Sequence, residues 1–242
     1  MANPLRIVTL GDSIPWGQGL PDANKYDFLI TEALRPRFPA ISLERFPHSG
    51  AVIGARGALG RGADGEVPLP RPTIIEQCEA FTNSPEAVDV VLMNGGINDV
   101  GVARILNPFA VVPSLSLRIE QACHDDMLNL LRKASARFSK PTCKILVTGY
   151  YIILSDLSDP LQVDRMLSLH GISRPGFREI KSQADFFNPI LERCLRFFNE
   201  SSAHLRQAVL ETGDSRITFV PSGFTANNAV FAPGALLWGL DE

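Results

Sequence analysis

The sequence is short of several things, and each absence excludes a class of function. No run of some 18 apolar residues occurs in the 242-residue chain, so no transmembrane helix is expected. The N-terminus reads Met1-Ala2-Asn3-Pro4-Leu5-Arg6. It lacks a basic region leading into an apolar stretch and a small-residue cleavage site, so a cytoplasmic location is expected. Charge of one sign is not in excess. The chain has 23 Lys and Arg against 26 Asp and Glu, a net charge of −3. That balance offers no electrostatic footprint for nucleic acid or an anionic membrane surface. Cysteines are few and widely spaced (Cys78, Cys123, Cys143, Cys194), with no C-x-x-C pair. The spacing argues against a zinc site or a disulfide framework and for buried thiols in a reducing compartment. Neither a metal nor a cofactor is expected.

What remains is an ordinary core-forming composition. Hydrophobic residues make up 45% and charged residues 20%, which suits one folded α/β domain. Short apolar runs alternate with longer amphipathic stretches. Arg6–Leu10 is a β-branched run closed by Gly11, and Ile41–Phe46, Val88–Met93, Lys144–Thr148 and Arg216–Val220 read as four further strands. Helices are predicted over 24–35 (stopped by Pro36), 73–81, 114–138 with Ser114 as N-cap, and 183–211 with Gly213 as C-cap. Residues 54–72 read as a Gly/Pro/Arg loop, and 150–182 as an irregular insertion that could serve as a lid. Five strands separated by helices imply a parallel sheet with helices on both faces. In such sheets ligands bind beyond the carboxyl ends of the strands.

That edge selects the candidate residues. Behind the first strand comes Gly11-Asp12-Ser13-Ile14, which places a serine on a turn open to a cleft, as a nucleophile requires. Behind the second comes His48-Ser49-Gly50-Ala51, where a glycine lets a backbone N–H approach a ligand. Behind the third comes Gly96-Ile97-Asn98-Asp99, where an asparagine amide can aim at a developing oxyanion. A second Gly-Asp-Ser at 213–215 lies at the opposite edge and reads as a plain turn. Gly60-Arg61-Gly62-Ala63-Asp64-Gly65 spells a dinucleotide fingerprint but lacks the strand and helix that give it meaning, so it too reads as loop.

Together these blocks resemble the SGNH (GDSL-type) hydrolases: Gly11-Asp12-Ser13 as the first block, Gly50 as the second, and Gly96-Ile97-Asn98-Asp99 as the third. The resemblance implies a three-layer flavodoxin-like α/β fold over residues 1–242 and metal-free hydrolysis of a small-molecule ester or acylated carbohydrate. Ser13 would be the nucleophile. The N–H groups of Ser13 and Gly50 and the Asn98 amide would form the oxyanion hole, while Asp12 and Asp99 orient their loops. The sequence departs from the family in one respect. The C-terminal D-x-x-H that would carry the general base is absent, since Arg45, Gln121, Leu167 and Ser201 stand three positions before the four histidines. Three readings follow: a C-terminally incomplete domain, a substitute histidine, or a relative that binds esters without turnover. His48 and His170 read as solvated loop residues, and His124 and His204 as surface or capping residues of helices. The apolar segment from Phe224 through Trp238 has no obvious partner within the chain and reads as further support for an incomplete domain.

Overall fold

The computed structural model describes residues 4–17, 19–54, 72–109, 111–169, 171–172 and 183–235. The five predicted strands all form: β1 (Leu5–Leu10), β2 (Ile41–Arg45), β3 (Val90–Met93), β4 (Lys144–Thr148) and β5 (Ile217–Val220). All pair in parallel, in the spatial order β2-β1-β3-β4-β5. The order reverses at β1. Right-handed crossovers therefore carry the β1–β2 connection over one face and the later connections over the other. Helix α2 (Tyr26–Leu34) makes the first crossing, and α3 (Ile74–Ala80), α6 (Val112–Glu120), α7 (Met127–Arg137) and α9 (Gln183–Glu211) make the rest. Strand side chains alternate accordingly. Val8, Leu10, Val91, Met93, Ile145 and Val147 enter one large apolar cluster with the α3, α6, α7 and α9 side, while Ile7, Thr9 and Leu92 are buried on the opposite face. The result is a three-layer, flavodoxin-like α/β fold. All four cysteines are buried free thiols.

Local differences from the sequence reading have identifiable causes. The helix expected to start at Ser114 starts at Val112, after an extended Val111. Pro113 stands in its first turn, where a missing N–H is harmless, and Ser114 Oγ instead donates to the Val111 carbonyl at 2.7 Å. This helix runs on into α7 through a π-type segment, Gln121–Asp126, which seats Cys123 under the turn after β3. The insertion at 150–182 is not wholly irregular. It contains a helix, α8 (Pro160–Leu169), whose start is fixed by Asp159 Oδ1 accepting from the N–H groups of Leu161 and Gln162 at 2.9 and 3.0 Å. His170, residues 173–182 and the Gly-rich decoy at 60–65 lie outside the described residues.

The apolar tail is also not unpartnered. Ala229, Val230, Phe231 and Ala232 are buried. Val230 N–H donates to the Ile153 carbonyl at 3.0 Å, and Ser155 and Ser158 hydroxyls donate to the Ala226 and Val230 carbonyls, each at 2.7 Å. The loop after β4 thus supplies the partner that the linear pattern could not show. Residues 236–242 lie outside the description. The second Gly-Asp-Ser forms a turn before β5, where Asp214 is held by Arg216 at 2.6 Å.

Candidate active site

Ser13 is half-buried and opens α1 (Ser13–Trp16), the single helical turn behind β1. Its neighbour Asp12 caps that turn, Oδ1 accepting from the Ile14 N–H at 3.0 Å. Gly11 is the reason the chain can turn here. It sits at φ +142°, and a Cβ would come within 2.5 Å of Asn94 Oδ1 and 2.6 Å of Pro15 Cγ. The Gln77 carboxamide grips Gly11 from below. It accepts from the Gly11 N–H at 2.8 Å and donates to the Gly11 carbonyl at 2.9 Å.

The turn after β2 is bound to this one directly, because the His48 N–H donates to the Gly11 carbonyl at 3.0 Å. Gly50 follows, half-buried, at φ +78°. The turn after β3 begins α4 (Ile97–Val100), which α5 (Val102–Leu106) follows, and two adjacent side chains lace it to the Gly50 loop. Asn98 Nδ2 donates to the Ala51 carbonyl at 2.9 Å, and the Asp99 carboxylate accepts from the Ile53 N–H at 3.0 and 3.2 Å. The three turns are therefore neighbours at one edge of the sheet. Among the described residues the N–H groups of Ser13 and Gly50 donate to no other group, and Asn98 Nδ2 has a second hydrogen beyond the one given to Ala51.

Both carboxyls at this edge are unusual. Burial pushes the Asp12 carboxyl up, against the opposing hydrogen bonds from Ile14, Tyr150 and Asn94. Burial likewise pushes Asp99 up to about 7, with the Ile53 N–H opposing and the negative Asp126 adding to the rise. Neither forms an ion pair among the described residues.

Three residues that the sequence reading passed over hold this edge together. Besides Gln77, Tyr150 bridges the turns after β1 and β3: its hydroxyl donates to Asp12 Oδ2 at 2.7 Å and accepts from the Ile97 N–H at 3.0 Å. Arg45, at the end of β2, binds Asp27 Oδ2 and the Pro15 carbonyl, each at 2.6 Å, and ties α1 to α2. Tyr150 lies two residues beyond β4, on the edge that topology singles out, and that position is the one signal in the sequence that could have flagged it.

One of the histidines falls differently from expectation. His48 is not solvated; it is 7% exposed, with its ring 5.2 Å from that of Trp16. Its Nδ1 lies 2.8 Å from the Ser49 carbonyl, which can only accept, so Nδ1 carries the proton and Nε2 is left as a buried acceptor with no partner among the described residues. No hydrogen bond joins it to Ser13. His124 lies on the π-type segment and pairs with Asp125 at 2.7 Å and Glu211 at 3.1 Å. His204 stacks edge-on beside it from α9. Next to Ile14 the ends of β4 and β5 line a half-open cavity of about 200 Å³, walled by Ile14, Tyr26, Gly149, Tyr151, Pro221 and Phe224. The loops after β4 and β5 bring no histidine to it within the described residues.

Comparison with known proteins bears on the fold. No family model and no curated protein matches the chain. Among solved structures, phospholipase A1 from Streptomyces albidoflavus NA297 superposes over 90% of this chain and 79% of its own, at TM-score 0.51 and 13% identity. The extracellular lipase from Streptomyces rimosus covers 89% of this chain and 79% of its own, at TM-score 0.50 and 15% identity. The chain has the fold of that phospholipase and that lipase, and it is the fold that the resemblance to SGNH hydrolases implies.

Proposed function

We propose that the chain is a serine-dependent carboxylic-ester hydrolase of the SGNH type, acting on a small-molecule ester or an acylated carbohydrate. Ser13 Oγ attacks the ester carbonyl and passes its proton to a base. The tetrahedral oxyanion is held by the N–H groups of Ser13 and Gly50 and by the second hydrogen of Asn98 Nδ2. Collapse expels the alcohol, which takes the proton back from the base. Water, deprotonated in the same way, then cleaves the acyl-serine and releases the acid. The carrying observation is that two unspent backbone N–H groups and a half-spent carboxamide lie on three turns bonded to one another. No described histidine is set to be the base: His48 is turned toward Trp16 and Ser49, His124 is held by carboxylates, and His204, on α9, lies beside His124.

A second reading is favoured by that same gap at the loops after β4 and β5: a relative that binds esters and does not turn them over. A fluorophosphonate probe separates the two. Covalent labelling of the chain, lost in Ser13→Ala, is the expected result. Failure of the intact chain to label, under conditions where an authentic serine esterase reacts, removes the catalytic reading and leaves the binding one.

A further inference from the structure

The π-type segment between α6 and α7 faces two ways. Its inner side supports the turn after β3. Cys123 Sγ packs so closely under Gly96 that a Cβ on Gly96 would come within 2.9 Å of it, and the negative Asp126 acts on Asp99. Its outer side carries His124, and both nitrogens of that ring face carboxylates. Nδ1 lies 2.7 Å from Asp125 Oδ1, and Nε2 lies 3.1 Å from Glu211 Oε1. A neutral imidazole has a proton on one nitrogen and a lone pair on the other, so only the doubly protonated ring can meet both oxygens with a proton. Glu211 is the last residue of α9, where the free carbonyls disfavour a carboxylate. A cation beside it offsets that cost. The arrangement is a latch between the end of α9 and the segment under Gly96.

The groups around the ring fix the sign of its response. On its own segment Asp125 faces it, while Asp126 accepts from Gln121 Nε2 at 3.1 Å. From α9 come Glu211 and, at 6.3 Å, the ring of His204; from α7, Arg132 acts on Glu211. The Asp125 carboxylate, opposed by partial burial and helped by Glu211, holds His124 above its ordinary 6.5. We propose that His124 is a proton-dependent positioning residue: its imidazolium ties the π-type segment to α9 and so holds the Gly96–Asp99 turn in the form that presents Asn98. The π-type segment is the element with two arrangements, because such a bulge can relax to α-helix or move along it, and either change takes Cys123 from under Gly96. With a raised folded value, the latch is complete below about 6.5 and is lost as pH rises through that value. The proposal rests on the hydrolase reading only for what the turn does, not for the coupling.

The test follows three NMR signals from about pH 5 to about pH 9. They are the His124 ring, the Gly96 and Asn98 backbone amides, and exchange of the Val100 N–H, which donates to the Gly96 carbonyl at 3.0 Å. In the wild type both amides are expected to move with the midpoint of the His124 ring. Val100 exchange, corrected for its intrinsic rise with pH, should quicken about two- to fivefold across that midpoint, the scale of one part-exposed ion pair. Glu211→Gln, at an exposed position, should lower the ring and amide midpoints together by a few tenths of a pH unit. His124→Arg keeps a cation at every pH and should hold the low-pH amide positions and the slow exchange throughout. Amides that titrate in His124→Arg as in the wild type would assign the change to Asp99 and overturn the proposal. So would amides that stay still in the wild type, a Glu211→Gln variant that moves the ring's midpoint but not theirs, or a ring that titrates at or below 6.5. None of these readouts needs turnover. A chain whose Ser13 fails to label can still show the coupling, and a labelling chain can lack it, so the two failures are distinguishable.

Discussion

The two edges of the sheet handle carboxylates in opposite ways. At the amino edge, acids are matched with cations. Arg6 reaches Glu44 at 3.2 Å and the Ser84 carbonyl at 3.1 Å. Asp89 is held by Lys140 and by the Arg6 N–H. Asp214 is bound by Arg216, which also donates to the Phe138 carbonyl at 2.6 Å. The Arg216 guanidinium keeps the Asp214 carboxyl well below the usual range. For Asp89 partial burial pushes upward, but the Arg6 N–H and Lys140 outweigh it and the net shift is down. At the carboxyl edge, Asp12 and Asp99 meet only dipoles: backbone N–H groups, a phenol and a carboxamide. Burial wins there and both are pushed up. The amino edge is stitched for stability. At the carboxyl edge the ion pair of Arg45 with Asp27 ties α1 to α2, while Asp12 and Asp99 themselves are held by neutral donors in a low-dielectric setting, the arrangement that favours a charge appearing only in a transition state.

The sharpest way to break this contrast is to remove a donor. Asn98→Ala is expected to lower kcat for a simple aryl acetate by about 10²–10³-fold, the usual loss for one oxyanion donor. KM should shift far less, because the amide acts on the transition state. Steady-state kinetics on the variant decide it. Equal losses in binding and turnover would mean that Asn98 serves only to hold the Ala51 carbonyl.

The next effect is at the bridge between turns. Tyr150→Phe leaves Asp12 Oδ2 without its phenol donor and the Ile97 N–H without its acceptor, both in buried surroundings. A loss of about 1–3 kcal/mol in unfolding free energy is expected from denaturant titration. The rate of fluorophosphonate labelling should fall as well, because the Ser13 and Asn98 turns lose their shared strut. A stability loss with an unchanged labelling rate would confine Tyr150 to the core.

These two residues mark the limit of what the linear pattern carried. The five strands were legible as short apolar or alternating runs closed by turn formers, Gly11 after the first, Pro47 after the second and Pro221 after the fifth, and the parallel order then named the edge on which Ser13, Gly50 and Asn98 stand. Helix α9 was legible to its ends for a similar reason: a long amphipathic period closed by Gly213. Tyr150 was not legible because its partner Asp12 is 138 residues away, and one tyrosine in a Ser/Asp-rich stretch carries no local signal. Burial of His48 depends on the ring of Trp16, a partner set by tertiary packing. The tail after β5 looked unpartnered for the same reason, since its partners Ile153, Ser155 and Ser158 lie in the loop after β4. Helix α8 did have a local cue in Asp159-Pro160, which the surrounding turn-forming residues masked.

The last effect, the smallest at any one pH step, separates the edges by pH. Asp99 has a folded value of about 7, against 3.8 for the unperturbed group. Between those values the folded chain holds a proton that the unfolded chain has released, so this group's contribution to stability falls as pH rises from about 4 to about 7 and is flat above. Asp214 works the other way. Its folded value is depressed, so its contribution is present above about 4 and is lost as pH falls through the acid range. Asp99→Asn keeps an acceptor for the Ile53 N–H and removes the titration. Wild type should lose stability on the order of 1 kcal/mol per pH unit across the Asp99 window relative to the variant, and the two curves should run parallel below it, where Asp214 dominates. Urea titrations of both proteins at intervals from pH 3 to pH 8 measure the difference directly. Parallel curves throughout would mean that Asp99 ionises in the folded chain as freely as in water, and the proposed contrast between the edges would then rest on Asp12 alone.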